Sequence, residues 1–187
     1  MKKRRGFLLL VAVLTALLLC GCSQYDDKYD EGDFLTDGMN HYTTVMWWGN
    51  TQEDGTYALD VGSFSGVRIL GSFTVEKDQT LCEVTSTLIG TKGEAKLLVV
   101  NAEDKTLNAQ WPLDSQNPMT VTLPAGRYDL RIAGKSAGFE GQVSLSLNGQ
   151  TVSWDNMLEK LEEMAADGRK ERTDPPRETF DDERKAA

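Results

Sequence analysis

Met119-Thr-Val-Thr-Leu-Pro-Ala-Gly-Arg-Tyr-Asp-Leu-Arg-Ile132 alternates apolar and polar residues on both sides of a Pro-Ala-Gly turn. A period of two is typical of a strand that buries one face, so this stretch predicts two strands joined by a turn. The same alternation returns in residues 143–147. The Asn148-Gly149 pair that follows is a strong signal for a two-residue hairpin.

Shorter β-type runs precede this stretch, at a spacing of roughly ten residues. They are residues 57–61, 67–69, 73–75, 82–88 and 96–100. No helical pattern lies between them, and the turns are rich in Gly, Pro, Asp and Asn. We therefore predict an all-β domain, an antiparallel β-sandwich or jelly roll, over residues 41–153. Its length of about 110 residues is enough for one hydrophobic core.

The runs Phe73-Thr74-Val75 and Gln79-Thr80-Leu81, together with residues 121–132, resemble small β-sandwich modules of bacterial secreted enzymes. The resemblance is to the pre-peptidase C-terminal type and to related carbohydrate-binding jelly rolls, and it covers residues 71–149. It implies a sandwich fold and a non-catalytic, accessory role. It supplies no ligand-binding residue, because no ligand contact of these modules is matched position by position.

The N-terminus has four basic residues at positions 2–5 and an apolar run at 7–19 that is too short to span a bilayer comfortably. Leu19-Cys20-Gly21-Cys22 follows and resembles the lipobox of bacterial lipoproteins. The resemblance implies that residues 1–21 are a signal peptide and that Cys22 carries a diacylglyceryl group, which anchors the protein in the membrane. The alternative is an ordinary secretory signal cut near Gly21.

Residues 22–40 are strongly acidic and contain Gly32 and Gly38, so we expect a solvated, lipidated tether between the membrane and the domain. A calcium loop over residues 26–33 is disfavoured because Lys28 stands where a ligand is needed. The chain has a net charge of −9, and its acidic part lies outside the basic signal. This charge argues against a nucleic-acid partner.

Residues 154–168 show the spacing of an amphipathic helix. Its apolar stripe consists of Trp154, Met157, Leu158, Leu161 and Met164. Two interpretations remain open: the stripe packs on the sandwich, or it docks a partner protein. Residues 169–187 carry charges of both signs and Pro175-Pro176, and we expect them to be a disordered tail.

Few residues suit catalysis. His41 is the single histidine, and Cys82 has no partner for a disulfide once Cys20 and Cys22 are accounted for. We expect Cys82 to be a small buried residue on a strand. The run 62–66 has Phe64 where a nucleophile elbow has serine. The prediction is therefore a protein that is not an enzyme and has no catalytic residues, metal site or cofactor.

Aromatic side chains are the best candidates for recognition. Trp47 and Trp48 are adjacent, so in a strand they would point to opposite faces, and Trp111 precedes Pro112 on an edge strand or loop. Such rings stack on sugar faces or anchor a partner, although they also fill cores. The arginines of the strands, in contrast, are expected to form a solvated outward face: Arg68, Arg127 and Arg131.

These observations predict a lipoprotein held in the cell membrane by Cys22 and facing the exterior or the periplasm. It is expected to be a non-catalytic binding module for an envelope or extracellular ligand, such as a glycan, bound through Trp47, Trp48 and Trp111. The alternative is an accessory subunit that docks an envelope protein through the C-terminal helix stripe.

Overall fold

The computed structural model describes residues 23–160, and most of these residues lie in antiparallel strands. A 3-10 turn, Asp26–Lys28, and a short helix α1, Gly32–Thr36, precede the first strand. The strands are β1 His41–Thr51, β2 Tyr57–Val75, β3 Thr80–Ser86, β4 Ile89–Asn101, β5 Leu107–Pro112, β6 Met119–Leu123, β7 Gly126–Leu147 and β8 Gln150–Thr151. A second helix, α2, occupies residues 154–160. The predicted all-β sandwich is confirmed.

The long strand β7 organises the sheet. One edge of β7 pairs with β2 over residues 126–143, and the other edge pairs with β4 over residues 128–140. Its last five residues, 143–147, pair with β3, which in turn pairs with β6. Strands β1 and β5 flank the first group as edge strands beside β2 and β4. One layer thus reads β1-β2-β7-β4-β5 and the other reads β6-β3-β7, with β7 shared between them.

The main core fills the space between these two layers. Its members from the first layer include Phe64, Leu97, Tyr128, Leu130 and Phe139, and those from the second include Cys82, Val84, Leu123 and Leu145. Alternation along each strand brings these residues to one side, as the period of two requires. Cys82 is fully buried on β3, which confirms its predicted place.

Strands β2 and β7 are longer than the sequence pattern suggests. Residues 134–141 contain three glycines, which are typical of a turn, but they continue β7 without interruption. Gly134 packs so closely on the ring of Phe64 that no side chain fits between them. The glycines here serve close packing within the sheet, which a turn-based interpretation of Gly does not anticipate. The Asn148-Gly149 hairpin is confirmed, with both residues at positive φ.

The N-terminal segment, residues 23–40, differs from the expected solvated tether. Its α1 residue Leu35 is only 2% exposed and packs on the outer surface of the first layer, against Val67, Leu98, Val100 and Ala133. Tyr29 and Phe34 pack around the same cluster. Asp26, Asp30 and Asp37 bond to side chains or main chain of the strands, and the other three acids are exposed: Asp27, Glu31 and Asp33. The segment is therefore an amphipathic strap, which its high charge did not indicate.

Helix α2 packs on its own sandwich. Trp154 and Met157 are 0% exposed, and the ring of Trp154 stacks on Tyr57 with a centroid distance of 5.0 Å. Leu158 is partly buried against the same core. The interpretation of the stripe as a protein-docking surface is therefore wrong for Trp154 and Met157. Leu161, Met164 and the predicted tail 169–187 lie outside the described residues, as do the signal peptide and Cys22.

No helix within residues 23–160 is both long and apolar enough to cross a bilayer.

Candidate functional site

Half of the outer surface of the first layer is left uncovered by the N-terminal segment. A row of four residues runs across this uncovered surface, and each residue is paired in register with the next one on the neighbouring strand. The row consists of Trp48 on β1, Asp60 on β2, Glu140 on β7 and Ile89 on β4. All four are exposed, Trp48 by 52% and Ile89 by 68%. Neighbouring strands lie about 4.8 Å apart, so the row is about 14 Å long.

A second row lies two residues further along the strands and therefore on the same face. It contains Asn50 on β1, Ala58 on β2 and Gln142 on β7. Asn50 and Gln142 are exposed, and their amides add donors and acceptors beside the two carboxylates. We call these two rows, Trp48-Asp60-Glu140-Ile89 and Asn50-Ala58-Gln142, the open face.

Trp47 sits on the opposite side of β1 from Trp48. Its ring packs against Phe64 at a centroid distance of 5.4 Å and against Phe139 at 6.2 Å. The guanidinium of Arg68 lies 4.1 Å from the centroid of Trp47 and 5.1 Å from that of Tyr42. These cation–π contacts fix the inner side of the edge strand. Trp47 therefore faces the core and does not itself present a ring to a ligand.

Trp111 does not join Trp48 in one site. It lies on β5, the opposite edge of the layer, and its partner Leu97 pairs with Ile132, whose own partner on β2 is Arg68. Trp111 is thus level with Arg68 of β2, which lies eight residues along the strand from Asp60. The ring is half-buried against the main core. The edge position that the sequence predicted for Trp111 is confirmed, but the two tryptophans are separated by the width of the sheet.

The expected face of three solvated arginines is wrong. Only Arg127 is exposed, where its Nε donates to Glu103 at 3.1 Å. Arg68 points to the inner side, against the two rings described above. Arg131 is 0% exposed, because the N-terminal segment lies over it. Alternation placed Arg131 on the outer side correctly, but it gave no sign of what covers that side.

Arg131 ties the N-terminal segment to the sheet. Its Nη1 donates to the main-chain carbonyls of Leu35 and Asp37, and its Nη2 donates to Asp129 Oδ2 at 2.7 Å. The other oxygen of Asp129 accepts a hydrogen bond from Ser72 Oγ at 2.7 Å. A cation at the carbonyl end of α1 is favourable, because the last carbonyls of a helix lack internal donors.

A cleft of about 1060 Å³ opens beside Ile89, at the edge of the open face. Its walls are Tyr29 and Asp30 of the N-terminal segment, residues 86–90 and 93–96, and residues 110, 112–115 and 117. Lys96 Nζ donates to Asp30 at 2.8 Å and lies 4.2 Å from the ring centroid of Tyr29. Burial, with a smaller effect of the nearby Glu94 and Asp30 charges, raises the pKa of Tyr29 to about 12. The ammonium group of Lys96 is therefore held between the carboxylate of Asp30 and the ring of Tyr29.

The two side chains best suited to nucleophilic or acid–base chemistry, His41 and Cys82, lie outside the open face. The ring Nε2 of His41 lies 2.8 Å from Asp37 Oδ2, and this hydrogen bond is the main reason that the pKa of Asp37 falls below its usual value. Burial raises the pKa of the Cys82 thiol to about 12. Within residues 23–160, no three His, Cys, Asp or Glu side chains are grouped closely enough to hold a metal ion. The sequence identified Trp48 as a candidate for recognition, but its neighbours Asp60 and Glu140 could be found only from the strand register.

No protein-family model and no curated protein matches the chain. Among solved structures, it is similar to the accessory secretory protein 1, 2 and 3 complex of Streptococcus pneumoniae, with 11% identity and a TM-score of 0.30, over 56% of this chain and 95% of that chain. It is also similar to a family two carbohydrate esterase from Cellvibrio japonicus, with 14% identity and a TM-score of 0.28, over 62% of this chain and 33% of the esterase. The match thus spans one third of the esterase's length, and at these TM-scores neither likeness identifies a function.

Proposed function

We propose that the protein is an exported lipoprotein, anchored in the membrane through Cys22, whose sandwich binds a glycan non-catalytically on the open face. The observation that carries the binding proposal is the row in which an exposed Trp48 stands directly beside Asp60, with Glu140 on the next strand. The lipobox-like Leu19-Cys20-Gly21-Cys22 supports the anchor. Localisation outside the cytoplasmic membrane, facing the exterior or the periplasm, is part of the same proposal.

The chemistry of the row suits a sugar. A pyranose ring has an apolar C–H face and a rim of hydroxyls, and an indole offers a flat, rigid surface for the apolar face. Carboxylates accept hydrogen bonds from neighbouring hydroxyls, and such charge-assisted bonds are stronger than neutral ones. Because the row holds two acids and no base, it favours neutral over anionic glycans.

The open face is also shaped for a chain more than for a small molecule. It is a flat sheet surface whose row is about 14 Å long, and it lacks the enclosure that small-molecule pockets provide. The strand that carries Trp48 is fixed to the core by the neighbouring Trp47, which packs against Phe64. A ring on a rigid strand loses little freedom on binding, which lowers the entropic cost of recognition.

The test uses a soluble form that begins at Ser23, screened against an array of neutral oligosaccharides and then titrated calorimetrically. Trp48→Ala should weaken the affinity about tenfold or more, because a stacked ring contributes about 0.5–1.5 kcal/mol beyond its buried area. Asp60→Asn and Glu140→Gln should each cost about threefold to tenfold, since a charge-assisted bond becomes a neutral one.

The matched control is Leu81→Ala, which removes another exposed apolar side chain from β3, in the second layer. It should leave the affinity unchanged. All four variants should keep the melting temperature of the parent within a few degrees, because each replaced side chain is exposed or partly exposed. Equal affinities of the parent and Trp48→Ala, or no binding to any neutral glycan, would exclude the open face as a glycan site.

A further inference from the structure

The N-terminal segment is fixed to the sheet almost from the first described residue. The main-chain N–H of Tyr25 donates to Ser65 Oγ at 3.0 Å. The main-chain N–H of Ser136 donates to Asp26 Oδ1 at 2.8 Å, and its hydroxyl donates to the second oxygen of the same carboxylate. Asp26 thus accepts two bonds from one serine of β7. These contacts are made within the acidic stretch that was expected to be free.

The remainder of the segment is also held. Asp30 pairs with Lys96 at 2.8 Å, Leu35 is buried, and Arg131 holds the carbonyls at the end of α1. A chain fixed at Tyr25 has three residue steps between that point and Cys22. At 3.3–3.6 Å per residue those steps reach about 10 Å at most. Ser65, which is bound directly to Tyr25, therefore stays within about 15 Å of a lipid on Cys22, and Ser136, which is bound to Asp26 one residue further on, lies somewhat farther away.

The point where the segment leaves the sheet borders the open face. Ser65 lies on β2 five residues from Asp60, and Ser136 lies on β7 four residues from Glu140. Six large apolar side chains are exposed among residues 23–160, and four of them surround this region: Val45, Met46, Trp48 and Ile89. Exposed apolar groups collected in one region of the surface mark a contact with a protein or a membrane.

We infer that the lipid on Cys22 lays the open face against the bilayer, so that its glycan is the neutral sugar headgroup of a lipid in the same membrane. This inference rests on the proposed function. Apolar side chains beside the acyl anchor favour contact of this face with the membrane, and tryptophan favours the headgroup level. Asp60 and Glu140 stay at that level as well, because carboxylates do not enter hydrocarbon, and they disfavour anionic headgroups.

Close confinement also explains how a shallow site works. A headgroup that shares the membrane with the anchor is present at a high effective concentration, so modest intrinsic affinity is sufficient. A long tether would lower this effective concentration, whereas the fixed N-terminal segment keeps it high.

The experiment uses the lipidated full chain in phosphatidylcholine vesicles with and without a diglucosyl diacylglycerol. A nitroxide lipid labelled at the headgroup quenches nearby indole emission, and the signal of Trp48 is obtained as the difference between the parent and Trp48→Phe. We expect quenching of Trp48, and at least twofold more of it when the glycolipid is present.

Two insertion variants sharpen the test. About 20 Gly/Ser residues placed between Cys22 and Ser23 give a spacer of roughly 25 Å, which should abolish the quenching. The same insertion at the Asn148-Gly149 hairpin is the matched control and should leave the quenching intact.

Absence of Trp48 quenching in the parent overturns the orientation, and equal quenching with and without glycolipid overturns the headgroup as ligand. The proposed function is tested separately by titrating soluble forms of the parent and the spacer variant with free oligosaccharide. These two forms should bind it equally. Binding in solution without quenching on vesicles defeats the inference alone, whereas no binding in solution defeats the proposed function.

Discussion

A buried ion pair links Arg131 to Asp129 beneath the N-terminal segment, and its hydrogen bonds extend to Ser72 and to the end of α1. Both charged side chains are almost wholly shielded from water. Such a pair costs desolvation energy and is tolerated only when its remaining donors and acceptors are satisfied. Here the main chain of the segment satisfies most of them, so the segment and the pair depend on each other.

Arg131→Met should therefore destabilise the protein strongly. The substitution leaves the Asp129 carboxylate buried with Ser72 as its remaining partner, which costs about 3–5 kcal/mol. Urea denaturation of the soluble form at neutral pH measures this loss. Arg127→Met is the matched control four positions earlier, and its exposed pair with Glu103 should contribute less than about 1 kcal/mol. Similar losses for the two variants would contradict the structural role of the buried pair.

The Cys82 thiol should be inert in the folded protein. Its pKa is raised to about 12, first by burial and second by the neighbouring Glu83 charge, so thiolate is scarce at pH 8. Because the folded pKa is raised, the stability linked to this group is complete below the unfolded value near 9 and is lost as pH rises towards 12.

A disulfide reagent that absorbs on reaction checks this prediction at pH 8. The soluble form, in which Cys82 is the one cysteine, should react over hours in buffer and within seconds in concentrated denaturant. Fast reaction under native conditions would show that β3 opens locally. Cys82 would then be a reactive thiol in the folded protein.

At the scale of elements, the sequence predicted the positions of the strands better than their lengths. The alternating run of β6 and the hairpin after β7 are where the pattern placed them. Strand β2, in contrast, was expected as three short strands, and it is one strand of 19 residues. Register shifts near Phe64 and Gly71 interrupt its alternation, so the period of two is lost locally while the pairing with β7 continues.

The N-terminal segment shows why composition can mislead. Its six acids against one lysine predicted solvation, yet Tyr29, Phe34 and Leu35 supply an apolar side that charge counting overlooks. That apolar side is buried against the outer surface of β2, β7 and β4, and this surface is assembled from distant parts of the chain. No local pattern contains this information. For the same reason, the row of Trp48 with Asp60 and Glu140 required strand register.

Helix α2 should be an integral part of the fold. Trp154 is fully buried against Tyr57, so Trp154→Ala should cost about 3–5 kcal/mol. Leu158→Ala is the matched control on the same helix, and it should cost clearly less because Leu158 is only partly buried. Thermal melts of the soluble form compare the two. A melting temperature unchanged by Trp154→Ala would mean that the helix does not stabilise the sandwich.

At the scale of the whole molecule, the first layer has two outer halves with different roles. One half, around Val67, Leu98 and Val100, is covered by the N-terminal segment. The other half is the open face, where Trp48 and Ile89 remain exposed. The segment thus completes the fold on one half and, in our proposal, brings the other half close to the membrane.

Deletion of residues 23–38 distinguishes a structural strap from a tether. Loss of a tether would leave stability unchanged. Loss of the strap uncovers the apolar cluster around Val67 and leaves the guanidinium of Arg131 without the carbonyls of Leu35 and Asp37. Removing Leu35 alone accounts for about 2–5 kcal/mol, and the freed guanidinium adds to this cost.

We therefore expect the deleted form to unfold at much lower urea concentration and to bind a hydrophobic dye before it unfolds. Leu35→Ala in the intact segment should give a smaller loss in the same direction, which guards against an effect of truncation itself. Asp33→Ala is the control for that substitution, because Asp33 is an exposed residue of the same short helix. If the deletion, Leu35→Ala and Asp33→Ala all retain the parent's stability, the segment is a tether after all. The short distance between lipid and open face then loses its physical basis.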